Sequence, residues 1–227
     1  MFVNERMSAL QVKTLRFETG VRAAYLIVGG TCALLCATLA LFSYRYLFQV
    51  GMVPPVIADN LFLKPWLMVH VAGAATALLI GPLQFWSRLR AGFPTLHRWI
   101  GRTYVVSCMV GGAAGFLLAL GASTGPISKL GFGSLAIAWL VTTAFAWRRA
   151  MQGRFIEHRA WMIRSFALTF AAVTLRLYLP LSMLLLHVHM VDAYRAISFL
   201  CWVPNLLVVE LYLRNAKLFN SRKLQIE

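Results

Sequence analysis

Acidic side chains are scarce in this sequence: seven Asp and Glu stand against 22 Lys and Arg in 227 residues. Charge of either sign is thin, at 13% of residues where a soluble domain carries roughly 25%. Apolar residues make up 60%, against about 45–50% in soluble domains. A water-soluble fold of this size would lack the polar groups to cover its surface, and that class is excluded. A Walker loop, a dinucleotide-binding glycine fingerprint, an HExxH zinc motif and any nucleophile-plus-base arrangement are also missing. The four cysteines, Cys32, Cys36, Cys108 and Cys201, lie in apolar stretches with no CxxC or Cys/His zinc pattern. They read as small packing residues, not as a disulfide framework. No apolar run begins before about Tyr25, behind a mixed segment holding Arg6, Lys13, Arg16, Glu18 and Arg22. A cleavable secretory leader of the usual form is therefore not expected, and the first helix should persist as an anchor.

What is present is a series of long apolar runs. Each membrane-crossing helix needs ~20 residues to traverse a ~30 Å hydrocarbon layer. Six runs qualify, at about residues 23–48, 65–86, 99–120, 130–147, 160–186 and 197–213. The expected fold is an all-α integral membrane protein, a bundle of six transmembrane helices over residues 23–213. Residues 1–22 form an N-terminal segment and residues 214–227 a basic tail. Pro65 suits the first turn of the second span, and Gly81-Pro82 marks its kink or end. Gly111, Gly112 and Gly115 permit close helix approach in the third. Pro180 bends or extends the fifth span, and Pro204-Asn205 interrupts the sixth.

The basic residues sit at helix ends, not along one stripe, so nucleic acid is not the expected partner. Seventeen Lys and Arg fall in the N-terminal segment, the second-to-third and fourth-to-fifth connectors and the C-terminal tail. Five fall on the opposite side: Arg45, Lys64, Lys129, Arg176 and Arg195. By the positive-inside rule both termini are cytoplasmic, in the inner (plasma) membrane, with anionic lipids as partners on that face. The split also calls for an even number of spans.

Histidine is the one ligand-rich residue type. His97 and His158 lie at the cytoplasmic side; His70 lies about a turn inside the opposite face, with His187 and His189 also near it. Leu96-His97-Arg98-Trp99-Ile100-Gly101-Arg102 and Glu157-His158-Arg159-Ala160-Trp161-Met162-Ile163-Arg164 echo one another at the third and fifth entrances. Duplication of a helix pair or shared interface chemistry would each produce such an echo. Two levels of histidine match a bundle carrying two b-type haems. A low-spin haem takes two axial imidazoles from facing helices and a small residue that admits the porphyrin. Gly101 is i+4 from His97 and Gly73 is i+3 from His70. Arg98, Arg102, Arg159 and Arg164 would pair with propionates at the inner level, and His70 with His187 or His189 would form the outer pair. A separate metal reading takes His187, His189 and Asp192, since i and i+2 share a face in extended chain and suit zinc or copper. Glu210 is expected to pair with an arginine of a neighbouring helix, and Gln84, Asn205 and Thr76 to bond between helices.

Three stretches together resemble the membrane protein family DUF 2306. They are His70-Val71-Ala72-Gly73 with Leu79-Ile80-Gly81-Pro82-Leu83-Gln84-Phe85, then Leu96–Tyr104, then His158–Ser165. That resemblance implies a membrane protein and brings no activity with it. The HR-x-x-G-R element is also similar, more loosely, to histidine-bearing helices of two-haem cytochromes b and ferric-reductase-like proteins. Those pair histidines between four core helices, whereas the fourth span here has none. Two readings stand. One is a b-type haem protein moving electrons between quinol or a periplasmic donor and an acceptor. The other is a non-redox membrane protein (a small transporter, lipid-binding factor or assembly subunit) whose His-Arg motifs contact lipid or a partner.

Overall fold

Inside a bilayer, backbone N–H and C=O groups must find partners within the chain, so apolar runs of this length become helices. The computed structural model describes residues 2–223. In chain order its helices are α1 (Phe2–Ser43), α2 (Pro55–Ala58), α3 (Trp66–Ile80), α4 (Ser87–Gly92), α5 (Pro94–Leu120), α6 (Pro126–Met151), α7 (Phe155–Thr169), α8 (Ala171–Leu186), α9 (Met190–Leu200) and α10 (Val203–Lys223). Two short 3-10 turns, Tyr44–Tyr46 and Gly81–Phe85, complete it, with no strand among the described residues. Six helical stretches are long and apolar enough to cross a membrane: Leu26–Tyr46, Trp66–Phe85, Pro94–Leu120, Pro126–Met151, Phe155–Leu186 and Met190–Ala216. The protein is an all-helical, multi-pass membrane bundle.

The expected spans reappear with extended ends. The third begins at Pro94, five residues before the apolar run, because proline fits the first turn where its missing N–H is not needed. Pro126 starts the fourth in the same way. The end of α3 falls where Gly81-Pro82 placed it. In the sixth span the break comes at Cys201-Trp202, ahead of the expected Pro204-Asn205, since Pro204 is absorbed into the opening of α10. The Cys201 carbonyl freed there accepts from Thr174 Oγ1 (2.5 Å) and Asn205 Nδ2 (3.0 Å). The fifth span carries a break that the sequence reading did not place, at Phe170. Thr169 turns its hydroxyl onto the Ser165 carbonyl beside it, a competition known to disturb helices. Residue 1 of the expected N-terminal segment and residues 224–227 of the expected basic tail lie outside the described residues; residues 2–22 join the first span in one continuous helix, α1.

α5 packs on α3 and on α6, and α6 packs on α7, so these four form the core of the bundle. α1 lies against α3, α9 against α6 and α8, and α10 against α7. Among the described glycines the closest backbone-to-backbone approach is at the α3–α5 seam. A Cβ added to Gly73 would come within 2.6 Å of the Gly111 nitrogen and the Ser107 carbonyl oxygen. Only glycine lets two backbones approach so closely. Gly73 thus serves helix packing, and the expectation that it makes room for a porphyrin is corrected.

α5 and α7 face each other across the core, and Tyr104 spans the distance between them. Its hydroxyl lies 2.8 Å from Thr169 Oγ1 and 3.1 Å from Ser165 Oγ. Thr169 already receives the Trp139 indole N–H (2.9 Å) and donates to the Ser165 carbonyl (3.0 Å). Tyr104 must then donate to Thr169 and accept from Ser165, which in turn accepts from Thr143 at 2.7 Å. The network runs one way, from Thr143 to the Ser165 carbonyl, with every hydroxyl proton used. It joins α5, α6 and α7 at mid-height.

Candidate functional site

The end of the bundle that carries the basic connectors is termed inner, the opposite end outer. At the inner end His158, in the first turns of α7, sets Nδ1 2.8 Å from the Ala146 carbonyl oxygen of α6. A carbonyl only accepts, so Nδ1 carries a proton, and in the neutral ring Nε2 presents a lone pair. A carbonyl on the far ring nitrogen is what fixes the orientation of imidazoles that bind metals. His97, one turn into α5, lies within electrostatic reach of His158 and Arg90. Its Nδ1 is buried with no hydrogen-bond partner. One turn further along α5, the space beside Gly101 meets only the end of Gln84, whose Oε1 lies 3.1 Å from a Cβ built there. Gln84 Nε2 is itself buried without a partner. Two orphaned polar atoms, a small residue and an oriented imidazole therefore occupy the inner end of the core.

The arginines expected around this pair divide. Arg98, Arg102 and Arg159 are exposed, with Arg102 over the Trp99 ring at 5.1 Å. Arg164 turns away to α10, where its Nε and Nη2 meet both Glu210 oxygens at 2.5 and 2.9 Å. That pairing is the one expected for Glu210. It occupies Arg164 and corrects its assignment to the inner histidines.

The outer set is not brought together. His70 Nδ1 lies 2.8 Å from the Gly111 carbonyl oxygen, and the ring rests on Gly115, where an added Cβ would come within 2.8 Å of Nδ1. The charged group acting on it is Arg176 of α8. His187 and His189 are exposed in the connector between α8 and α9. His187 adopts left-handed backbone (φ 51°) and His189 extended backbone, so they do not share one strand face. Asp192 is engaged by Arg195 at 3.0 Å. Among the described residues no three His, Cys, Asp or Glu side chains gather to hold a metal, and the His187–His189–Asp192 reading is corrected accordingly. All four cysteines are free and at least half-buried.

The hydroxyl network was missed by sequence reasoning. Its signal is faint: Ser165 and Thr169 at i,i+4 mark one polar stripe on an apolar span, but nothing in the sequence names Tyr104 and Trp139 as its partners.

No curated protein and no solved structure matches the chain, so the looser likeness to two-haem cytochromes b gains no support. A family model does match, over residues 67–213, more than half of the chain and all three resembling stretches. The chain belongs to that family, the predicted membrane proteins DUF2306.

Proposed function

We propose that this is a multi-pass protein of the inner (plasma) membrane, with both termini cytoplasmic, that holds one b-type haem between His97 and His158 for transmembrane electron transfer. The observation that carries the reading is the state of the two imidazoles. His158 is held through Nδ1 with Nε2 left as a lone-pair donor, and His97 stands opposite with a buried, unpartnered ring nitrogen. They come from α5 and α7, the helices that the Tyr104 hydroxyl links. The donor set fits the group, because two neutral imidazoles on facing helices suit a low-spin iron. Gly101 supplies the small residue on the same face. A bound b-type haem would supply a one-electron couple; the chain's part is to hold the ligands in register and to exclude water with the sealed Tyr104 network beneath them. Exposed Arg98, Arg102 and Arg159 would meet propionates or anionic headgroups at the cytoplasmic surface. A quinone or a redox protein is the partner class for the electron.

The orientation rests on the 17-to-5 division of Lys and Arg. The outer level enters no such proposal, because His70 has an arginine in its surroundings where a second imidazole is required. The test is a visible spectrum of protein purified after haem-replete expression, oxidised and then dithionite-reduced. A Soret band and a reduced α-band are expected, each abolished by His97→Ala or His158→Ala and retained by His70→Ala. Haem-replete protein without a Soret band overturns the reading.

A further inference from the structure

Arg176 lies in α8 within the fifth span, where an ionisable residue is costly and has a functional reason by default. Among the described residues its guanidinium is held by neutral oxygens, with Nη1 on the Ala172 carbonyl at 3.0 Å and Nη2 on Ser43 Oγ at 2.9 Å. Ser43 is fixed as the acceptor, because its own proton goes to the Leu39 carbonyl at 2.6 Å. Among the described residues the ion pairs belong to Arg149, Arg154, Arg164 and Arg195, and none reaches Arg176. The charged and polar groups acting on it are Tyr46, Tyr194 and Arg45, and it acts in turn on His70.

Arg45 repeats the pattern. Its guanidinium is sandwiched by the Phe42 and Tyr46 rings at 4.4 and 4.7 Å and donates to the Tyr46 hydroxyl at 3.2 Å. Its Nε is buried with no hydrogen-bond partner. Ser43, which holds Arg176, stands two residues before Arg45, so two guanidiniums and the Tyr46 phenol share this end of the bundle with Tyr194 within electrostatic reach, and among the described residues no carboxylate pairs with either arginine. Such a cluster repels itself unless an anion balances it. Planar N–H forks with flanking phenol donors are the chemistry that recognises carboxylate and phosphate oxygens.

We propose that Arg176 and Arg45, with Tyr46 and Tyr194, form an outer-side binding site for an oxyanion, presented either by an anionic lipid headgroup or by a free solute. The site is independent of the haem reading, since neither His97 nor His158 takes part.

The test uses the full-length protein and two probes. Inorganic phosphate is titrated in neutral detergent against the melting midpoint, and phosphatidylglycerol carried over from mixed phosphatidylcholine vesicles is counted by native mass spectrometry. A phosphate-dependent rise of several degrees identifies a free oxyanion. One retained phosphatidylglycerol that phosphate does not displace identifies a lipid. Either response should weaken about tenfold in Arg176→Gln, the loss of one charge-assisted contact. Arg45→Gln should weaken it as well, Arg176→Lys should keep part of it, and Arg214→Gln at the inner end should leave it unchanged. Wild-type protein that shows neither response overturns the proposal. So does an equal response in Arg176→Gln; should that variant not fold, an unchanged response in Arg45→Gln overturns it instead.

Discussion

The inner and outer halves of the bundle hold the same hydrogen bond and put it to different use. His158 at one end and His70 at the other each place Nδ1 2.8 Å from a backbone carbonyl oxygen on the neighbouring helix. Each therefore carries a proton on Nδ1, which leaves Nε2 as the acceptor in the neutral ring. Around His158 there is a second imidazole, and Gly101 opens only onto the end of a side chain. Around His70 there are touching backbones, an arginine and two tyrosines that bear on that arginine. An oriented imidazole is thus not a ligand by itself; what faces it decides its use. The outer half is closed by glycine contacts and holds two arginines outside the ion pairs of the described residues, and the inner half keeps room beside Gly101.

The largest effect expected from this contrast is on the outer seam. Gly73→Leu would drive a side chain into the Gly111 and Ser107 backbone, which cannot rotate away as a side-chain end can. Overpacking of this kind costs about 1–3 kcal/mol, and more where backbone is the obstacle. The variant should fail to give a monodisperse peak in detergent. Wild-type yield and melting would break the comparison, since the seam would then be loose at both ends.

Next in size is the Arg164–Glu210 pair, which ties α7 to α10 at the inner end. Both side chains are partly exposed (19% and 34%), so the pair sits between the surface and buried limits. Glu210→Gln should cost about 1–2 kcal/mol by detergent denaturation, less than the 3–5 kcal/mol of a fully buried pair. Arg164→Gln in the same background should cost little more, because the two losses are one loss. Additive losses would show that the two side chains act separately.

Tyr104→Phe probes the clasp between the halves. It leaves the Ser165 proton without an acceptor and Thr169 without one donor, while the ring still fills its place. Hydrogen bonds between membrane helices average about 0.6 kcal/mol and reach about 1.7 kcal/mol. A loss of roughly 1 kcal/mol is expected, read as a lower melting midpoint. No loss at all would mean that water or another hydroxyl replaces the phenol.

The fold was largely legible in the sequence, and the site was legible only in part, for a physical reason. Span number follows from apolar length, because the bilayer leaves the backbone no alternative. Gly111 and Gly115 were readable as contact residues, since small residues are what close seams between membrane helices require. Gly73 was misread, because a glycine one turn from a histidine has the same pattern whether it admits a ligand or a helix. His187 and His189 looked like a pair because spacing does not reveal that the chain turns left-handed between them and α8. Arg164 was grouped by level with the inner histidines, but its rotation about α7 points it at Glu210. Depth can be counted along a sequence. The azimuth of a side chain depends on partners that are distant in it, and that is where the readings of Arg164 and Gly73 went astray.

The smallest stability effect separates the halves most cleanly. Gly101→Ala places a methyl 3.1 Å from Gln84 Oε1, a contact that a side-chain rotation relieves. Alanine is favoured over glycine in a helix interior by about 0.5–1 kcal/mol, so stability should change by less than that, in either direction. The same substitution at Gly111 would meet the Ala74 nitrogen at 2.8 Å and should destabilise clearly. If Gly101 keeps space for a group held by His97 and His158, the alanine variant should also lose intensity in the reduced α-band while its melting midpoint stays near wild type. A stable variant with full intensity would show that the opening beside Gly101 is not part of the ligand's space, and would confine the inner site to the two imidazoles.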